Sequence, residues 1–257
     1  MDALIMERLT ASERIVDIYG HCAVTVLTEF FPKELERTAV PFQRRERQNN
    51  NVERQKKMKE TKTLNQLTPI EKLEISLQMA EAIADIHGFK DGVIVHDDIQ
   101  LSQFLFTKDN KIKLNDFNRG EVMLYNEKKG EYCRYKNGPG GGDWRAPEEY
   151  ADDPLNEKID VWSFGNNVYS VLTGLFVYYW EMDSKKDTNY KNIKKIILEG
   201  ELTPIDPVYR TRNFIEGKLV EIIEKCWKHE PDDRPSIFEI VKELRDVKME
   251  FNKGNSN

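Results

Sequence analysis

Acidic and amide side chains occupy two short loops near the middle of this 257-residue chain. Asp98 and Gln103 follow one apolar run, and Asp116 follows another, with the turn residues Lys108-Asp109-Asn110 between them. Short β-rich runs around Asp and Asn residues predict a hairpin. Because one loop precedes this hairpin and the other follows it, we expect Asp98, Gln103 and Asp116 to converge at one end of it.

Two carboxylates and an amide that converge suit a hard cation such as Mg²⁺, together with a base for a hydroxyl proton. A solvated hairpin with acidic loops explains the same residues. A pair of aspartates does not by itself separate these two interpretations.

The order of several motifs along the chain favours the first interpretation. His96-Asp97-Asp98, followed by Gln103 and then by Asp116-Phe117-Asn118, resembles the catalytic loop and the metal-binding loop of eukaryotic protein kinases. The resemblance continues in the same order through Trp144-Arg145-Ala146-Pro147-Glu148, Asp160-Val161-Trp162-Ser163-Phe164-Gly165, Cys226-Trp227 and Arg234-Pro235-Ser236. The Trp before Ala-Pro-Glu and the Cys-Trp to Arg-Pro-Ser ending resemble the tyrosine-kinase-like branch.

The resemblance implies a role for each matching polar residue. Asp98 would orient the acceptor hydroxyl, while Asp116 and Gln103 would hold the Mg²⁺ that bridges the phosphates of ATP. Gln100 stands where many serine/threonine kinases have a lysine near the transferred phosphate, so a transition-state charge is lost. Gln103 replaces an Asn, which moves its oxygen one methylene further out and changes the metal geometry.

Other matching residues would support these loops. By resemblance, His96 would brace the catalytic loop and Asp160 would accept hydrogen bonds from its backbone. Glu148 and Arg234 would form a buried ion pair that ties the activation segment (116–148) to the C-terminal helices.

One departure from the family pattern concerns regulation. Asp97 stands where the family has an arginine that binds a phosphate on the activation segment. An acidic side chain would repel that phosphate, so we expect no phosphate-ordered activation of the usual kind. Tyr125, Tyr132 and Tyr135 are the candidate phosphorylation sites in this segment.

The N-terminal residues match only part of the smaller kinase lobe. A helix is predicted over 2–9, and two strands are predicted over 15–19 and 23–27, across a Gly20-His21 turn. By resemblance these are helix C and strands four and five. Asp2 would lie near the family's glutamate that pairs with the strand-three lysine, here without that partner.

The residues after these strands would bind the nucleotide. By resemblance, Thr28 takes the gatekeeper position, and Glu29 and Phe31 lie on the hinge, where backbone groups meet the adenine. The glycine-rich loop and the strand-three lysine would both precede Met1. Two strands and a helix without sheet neighbours leave an edge unpaired. We therefore expect a fragment of a longer protein; poor order in the first ~35 residues is the alternative.

The resemblance and the element pattern together predict an α+β protein-kinase-like fold, mainly the helical C-terminal lobe with an incomplete N-terminal lobe. We expect an N-lobe remnant over 1–35, a charged insertion or linker over 36–67, the C-lobe over 68–250 and a frayed tail over 251–257. The C-lobe begins at Thr68-Pro69-Ile70-Glu71, which is typical of a capped helix start.

Composition excludes several classes of protein. A net charge of −6 argues against a nucleic-acid-binding surface, and no apolar run reaches the roughly 18 residues that span a bilayer. The cysteines Cys22, Cys133 and Cys226 lack metal-site spacing, and their odd number suits an intracellular protein. Cys22 and Cys226 are expected in the core. The basic stretch 44–62 predicts a flexible insertion, with a nuclear-localisation signal as the alternative.

The function predicted from these observations is a protein kinase domain. In the complete protein it would transfer a phosphoryl group from ATP to a Ser/Thr or Tyr hydroxyl of a protein substrate. A pseudokinase-like module that only binds protein partners is the alternative, and a small-molecule kinase is a third. Asp98 and Asp116 favour activity in the complete protein, whereas Gln100, Gln103 and the missing glycine-rich loop and strand-three lysine favour an inert chain as it stands.

Overall fold

The computed structural model describes residues 2–22, 25–41, 63–138, 141–142, 144–179 and 189–254. The prediction for the basic stretch 44–62 lies outside the described residues. So do the predictions for 255–257 at the end of the tail.

Helices are the main regular elements of the described chain. They are α1 (Asp2–Leu9), α2 (Leu35–Ala39), α3 (Pro69–His87), α4 (Pro147–Ala151), α5 (Lys158–Thr173), α6 (Asn189–Leu198), α7 (Val208–Thr211), α8 (Phe214–Cys226) and α9 (Ile237–Gly254). Short 3₁₀ turns cover Leu101–Gln103 and Pro231–Asp233. The described residues agree with an α+β fold in which the C-terminal part is helical.

The strands are short and form small sheets. They are β1 (Ile18–Cys22), β2 (Thr25–Thr28), β3 (Lys33–Glu34), β4 (Val93–Val95), β5 (Phe104–Phe106), β6 (Ile112–Leu114), β7 (Glu121–Met123), β8 (Tyr125–Asn126) and β9 (Glu131–Tyr132). The antiparallel pairs are β1–β2, β3–β5, β5–β6, β4–β7 and β8–β9.

The β5–β6 hairpin predicted around the Lys108-Asp109-Asn110 turn is present. Phe104 pairs with Leu114 and Phe106 pairs with Ile112. Asn110 adopts a left-handed φ of 59°, which Asn tolerates better than most residues. The register places the residues just before β5 and just after β6 at the same end of the hairpin. The Asp98 and Asp116 loops therefore meet there.

Helix α3 packs against β6 of this hairpin. The Thr68 side chain accepts a hydrogen bond from the Glu71 backbone, and Glu71 bonds back to Thr68, as the capping-box pattern predicts. Leu73, Ala80 and Ile83 are fully buried. The helix packs against β4, β6, α5 and α9, so it joins the loops to the helical part.

Helix α5 lies at the centre of the helical part. Its apolar stripe, including Val161, Phe164 and Val168, is fully buried. A Cβ at Gly165 would lie 2.7 Å from the Cβ of Cys226, so α5 and α8 approach at a distance that only glycine permits. Cys226 is buried, as predicted.

The N-terminal hairpin differs from its prediction. Gly20 and His21 pair with Leu27 and Val26 inside the β1–β2 ladder, so the predicted Gly20-His21 turn is wrong. The connection falls at 23–24, outside the described residues. Cys22 is exposed at the end of β1, which corrects its predicted place in the core.

Three further stretches differ from the sequence patterns. The activation segment (116–148), for which the sequence pattern predicts no strand, contains β7, β8 and β9. Helix α9 continues through Gly254, into the range predicted as a frayed tail. Ala39 of α2 and Leu64 are buried, so the chain packs into the core within the range 36–67 predicted as a charged insertion.

One hydrophobic core joins these elements. Ile5 and Met6 of α1 belong to the same buried cluster as Phe104 of the hairpin, Phe164 of α5 and Leu244 of α9. In the part of the chain that the structure describes, no helix has both the length and the apolarity needed to span a bilayer.

Candidate active site

The catalytic loop (96–103) is anchored by one buried carboxylate. Asp160, in the first turn of α5, accepts hydrogen bonds from the backbone N–H of His96 at 2.8 Å and of Asp97 at 3.0 Å. The Nε2 of His87 lies 3.0 Å from the same carboxylate. Asp97 is thereby held at a left-handed φ of 59°, which Asp adopts more readily than most residues. The loop conformation depends on α5.

The structure brings Asp98, Gln100, Gln103 and Asp116 together. The Gln103 Nε2 donates to Asp98 Oδ2 at 3.2 Å and to Asp116 Oδ2 at 3.3 Å. The Gln100 Nε2 donates to Asp98 Oδ1 at 2.7 Å. The two carboxylates thus face each other across a single amide group. This is the convergence on which the sequence interpretation depends.

The geometry suits Mg²⁺ at Asp116 and constrains Gln103. Carboxylate and amide oxygens are ligands that Mg²⁺ accepts, and it usually takes only one or two from protein and the rest from phosphate and water. As placed, the Gln103 N–H, not its oxygen, faces both carboxylates. A rotation of the amide by about 180° would present the oxygen instead. Among the described residues, no group of three or more His, Cys, Asp or Glu side chains forms a metal site.

His96 braces the loop after β6. Its Nε2 lies 2.9 Å from the Asn115 carbonyl oxygen, and its ring packs on Phe117 with the centroids 4.9 Å apart. The Phe117 N–H donates to Asp2 Oδ1 at 3.0 Å. Asp2, expected to lack a lysine partner, therefore contacts the Asp116 loop. Sequence reasoning missed this contact between α1 and the site.

The predicted nucleotide-binding residues lie where β2 ends. The Thr28 hydroxyl donates to the Glu29 carbonyl oxygen at 3.2 Å. The Glu29 carboxylate accepts from Lys113 Nζ at 2.6 Å and from the Asp17 N–H at 3.0 Å. Phe31 is partly buried against the core. These contacts join the hinge to β6, and nucleotide binding by these residues stays a prediction.

A cluster around Asp97 is the main site feature that sequence reasoning missed. Asp97 accepts hydrogen bonds from Arg119, Asn137 and Arg145, all in the activation segment. Arg145 also donates to Glu149 Oε1 at 3.0 Å and to Asp98 Oδ1 at 3.4 Å. A lone acidic replacement in the catalytic loop, with three arginines in the segment after it, was the available sequence signal.

Burial changes the ionisation of this cluster. It raises the pKa of Asp97, against the opposing effect of the two arginines. Burial also raises the pKa of Glu149 to about 8, although Arg145 and the Ala146 N–H act in the other direction. Burial disfavours the charge of Arg145, but its acidic neighbours Glu149, Asp97 and Asp98 raise its pKa. Arg145 is therefore a permanent cation beside Asp97 and Asp98.

The ion pair expected between Glu148 and Arg234 is formed. Arg234 donates from Nη1 to Oε1 at 2.6 Å and from Nη2 to Oε2 at 2.8 Å. Both side chains are buried, and Arg234 also donates to three backbone carbonyls. This pair attaches the end of the activation segment to the turn before α9.

A cavity of about 190 Å³ opens beside Gln100, next to the Asp98 carboxylate. Ile99, Leu101, Trp144 and Phe176 form its apolar walls. The Trp144 and Phe176 rings stack with centroids 6.5 Å apart. Trp144 belongs to the activation segment, so the cavity lies between that segment and the catalytic loop.

The candidate phosphorylation sites differ in accessibility. Tyr125 and Tyr132 are exposed on the β8–β9 hairpin, where their rings meet edge to face at 5.2 Å. The Tyr135 hydroxyl is buried. Burial raises its pKa, and the Asp97 carboxylate adds to this effect.

Comparison with known protein families agrees with this geometry. The protein kinase domain model matches residues 5–244, which include both acidic loops and the Glu148–Arg234 pair.

Individual relatives are similar over about two thirds of the chain. The dual specificity protein kinase shkE of Dictyostelium discoideum is 31% identical over 180 residues, 69% of this chain and 23% of that protein. Integrin-linked protein kinase 1 of Arabidopsis thaliana is 25% identical over 177 residues, covering 68% and 35%. Mitogen-activated protein kinase kinase kinase 12 of Rattus norvegicus is 27% identical over 178 residues, covering 69% and 18%. The chain thus spans about a fifth to a third of these relatives' lengths.

Proposed function

This chain belongs to the protein kinase family, and on that premise we propose that it supplies the catalytic and metal-binding loops for phosphoryl transfer from ATP to a protein hydroxyl. The observation that carries the proposal is the pairing of Asp98 and Asp116 across the Gln103 amide, at 3.2 and 3.3 Å. Asp98 and Asp116 lie 18 residues apart and belong to two different loops, yet their side chains face the same position. The use of ATP is consistent with an intracellular protein.

Each residue of the pair has a separate role in the proposal. Asp98, held by Gln100 and Arg145, orients the acceptor hydroxyl and accepts its proton as the new bond forms. Asp116 would hold Mg²⁺, with Gln103 as a second ligand once its amide oxygen faces inward. The ion would offset the negative charge of the phosphates, and ATP would supply the phosphoryl group. The protein contributes chiefly position and electrostatics.

The acceptor is proposed to be a side chain of a protein substrate. A polypeptide with its hydroxyl at Asp98 would pass over Gln100 and Trp144, at the mouth of the apolar cavity. Burial of a flanking side chain there would contribute to binding. The proposal covers both Ser/Thr and Tyr hydroxyls, because Gln100 replaces the residue that would separate these two kinds of acceptor.

A second candidate is a binding module that takes nucleotide or a protein partner without phosphoryl transfer. The observation in its favour is the direction of the Gln103 amide. Its N–H donates to both carboxylates, so a neutral group compensates them where a cation is otherwise required. A site of this kind stays folded without metal.

The test combines thermal stability with phosphate incorporation in the full-length natural protein. Mg²⁺-ATP at about 100 times its Kd should raise the melting temperature by roughly 5 °C or more. Asp116→Asn should remove the magnesium-dependent part of this shift. Asp98→Asn should keep the shift and lower phosphate incorporation by about 100-fold or more.

Asp109→Asn is the matched control, since Asp109 lies in the turn at the other end of the same hairpin and is exposed. It should behave like the natural protein. A magnesium-dependent shift without incorporation would support the binding module. An unchanged melting temperature with Mg²⁺-ATP, together with no incorporation, would contradict both phosphoryl transfer and nucleotide binding.

A further inference from the structure

The activation segment is attached to the catalytic loop near both of its ends. Arg119 lies shortly after Asp116, and Arg145 lies shortly before Glu148. Both side chains reach Asp97. One residue of the catalytic loop therefore contacts the segment where it begins and where it ends.

The contacts at Asp97 use its carboxylate and its carbonyl oxygen. Arg119 donates to Oδ2 at 3.3 Å and to the carbonyl at 3.2 Å. Arg145 donates to Oδ1 at 3.2 Å and to the carbonyl at 2.6 Å. The Asn137 amide, from the middle of the segment, also donates to Oδ2. Three positions in the segment thus converge on one acid.

Asp97 and Arg145 of this cluster are shielded from water, in contrast to both partners of another ion pair of the same segment; the Arg119 side chain is 40% exposed. Asp97 is 2% exposed and Arg145 is 9% exposed. In the Arg134–Asp232 pair, the side chains are 42% and 76% exposed. Solvent weakens an exposed pair, whereas a buried pair that loses one partner leaves a charge uncompensated. The Asp97 contacts should therefore hold the segment much more firmly than Arg134 does.

Arg145 extends the cluster to the proposed base. The Arg145 Nη2 lies 3.4 Å from Asp98 Oδ1, while Nη1 is bonded to Asp97 and Glu149. The guanidinium is planar and rigid, so the position of one nitrogen fixes the position of the other. Movement of the segment at Arg145 would move a cation away from Asp98.

We propose that Arg145 is a positioning residue and that the Asp97–Arg119–Arg145 cluster holds the activation segment on the catalytic loop without any added phosphate. The ordering of the segment does not depend on the proposed function. The positioning effect of Arg145 on Asp98 does rest on the proposed function. The charged groups that hold the segment are side chains of the protein itself. The segment is therefore ordered without prior phosphorylation.

Hydrogen exchange of the phosphatase-treated full chain tests the ordering. In Asp97→Asn, exchange of peptides covering 117–121 and 144–150 should be about 10-fold faster or more, because two arginines lose their anionic partner. Arg134→Gln, the matched control, should exchange as the natural chain does. Phosphatase treatment of the natural chain should change nothing in these peptides.

Two results would overturn the proposal. One is unchanged exchange of these peptides in Asp97→Asn. The other is faster hydrogen exchange of peptide 117–121 in the natural chain after phosphatase treatment. If Asp97→Asn does not fold, Arg119→Gln replaces it, since that side chain is 40% exposed. It should release 117–121 and leave 144–150 protected.

A kinetic comparison tests the positioning role. Arg145→Met should lower kcat for phosphate incorporation by about 10-fold or more with an unchanged KM for ATP, and Arg145→Lys should recover part of the loss. Equal losses in both variants, in proportion to the folded fraction, would reduce Arg145 to a structural residue. If the natural protein transfers no phosphate, the proposed function fails, while the exchange experiment still decides the ordering.

Discussion

At the scale of single residues, Glu149 has a different chemistry from that of an ordinary surface glutamate. Its side chain is buried under the activation segment, between Arg145 and the Ala146 N–H. Burial raises its pKa from 4.5 to about 8. The folded protein therefore keeps a proton on Glu149 at a pH where the unfolded chain has released it. Unfolding releases that proton, so a higher pH favours unfolding.

This sign leads to a prediction for the pH dependence of stability. The contribution of Glu149 is fully present below about pH 4.5 and decreases up to about pH 8. Glu149→Gln should flatten the decline in melting temperature between pH 5 and pH 8, because glutamine has no proton to lose. Asp97, whose pKa burial also raises, should leave a smaller dependence of the same sign. Thermal melts at several pH values measure this.

Glu131→Gln is the control for this measurement, since Glu131 is an exposed carboxyl on β9. Its melts should follow those of the natural chain at each pH. If Glu149→Gln shows the same slope as Glu131→Gln, burial does not keep a proton on Glu149.

At the scale of helices and strands, buried ion pairs hold together pieces that are distant in the chain. Glu148 at the start of α4 binds Arg234 just before α9. Lys72 on α3 binds Glu216 on α8 at 2.7 Å, and both are buried. Burial lowers the pKa of Lys72, although Glu216 opposes this. The cost of breaking such a pair is set by the charge left behind.

Glu148→Ala should destabilise the chain by about 3–5 kcal/mol, because Arg234 would remain buried without its carboxylate. For a chain of this size, the melting temperature should fall by roughly 10 °C. Arg210→Ala removes an exposed ion pair with Glu224 and should leave the melting temperature unchanged. Similar shifts for the two variants would show that the Glu148–Arg234 pair is not buried in solution.

At the scale of the whole molecule, α1 and the helical part belong to one core. Ile5 is 3% exposed. A Cβ added at Gly120 would lie only 2.6 Å from the Cδ1 of Ile5, so α1 packs closely against the chain at Gly120. Gly120 follows the Asp116 loop. Lys113 also joins β6 to Glu29 and Asp17. The proposed boundary between an N-lobe remnant and a C-lobe is therefore crossed by packed and charged contacts.

This single core predicts cooperative unfolding. Ile5→Ala should lower the free energy of unfolding by about 2–5 kcal/mol, measured as a lower urea midpoint in tryptophan fluorescence. The described tryptophans all lie in the C-terminal half, so this change would report on residues far from α1 in the chain. Leu4→Ala is the control, since Leu4 lies on the same helix and is 53% exposed. A separate early transition in circular dichroism, with an unchanged fluorescence midpoint, would show that α1 unfolds on its own.

Local sequence pattern was sufficient for the elements that local physics specifies. The capping box at Thr68 and Glu71, the turn at Asn110 and the apolar stripe of α5 each depend on residues within a few positions of one another. The protein kinase family followed from motifs whose order is itself a property of the chain.

Contacts between distant residues are decided only by the tertiary structure. The β1 register depends on pairing with β2, so Gly20 and His21 extend a strand instead of forming a turn. Strands of two or three residues, such as β8 and β9, have too little periodicity to be recognised. The partners of Asp97 lie at 119, 137 and 145, and no local pattern relates them. Burial and charge pairing are properties of the folded molecule, because they depend on which surfaces the fold brings into contact and removes from water.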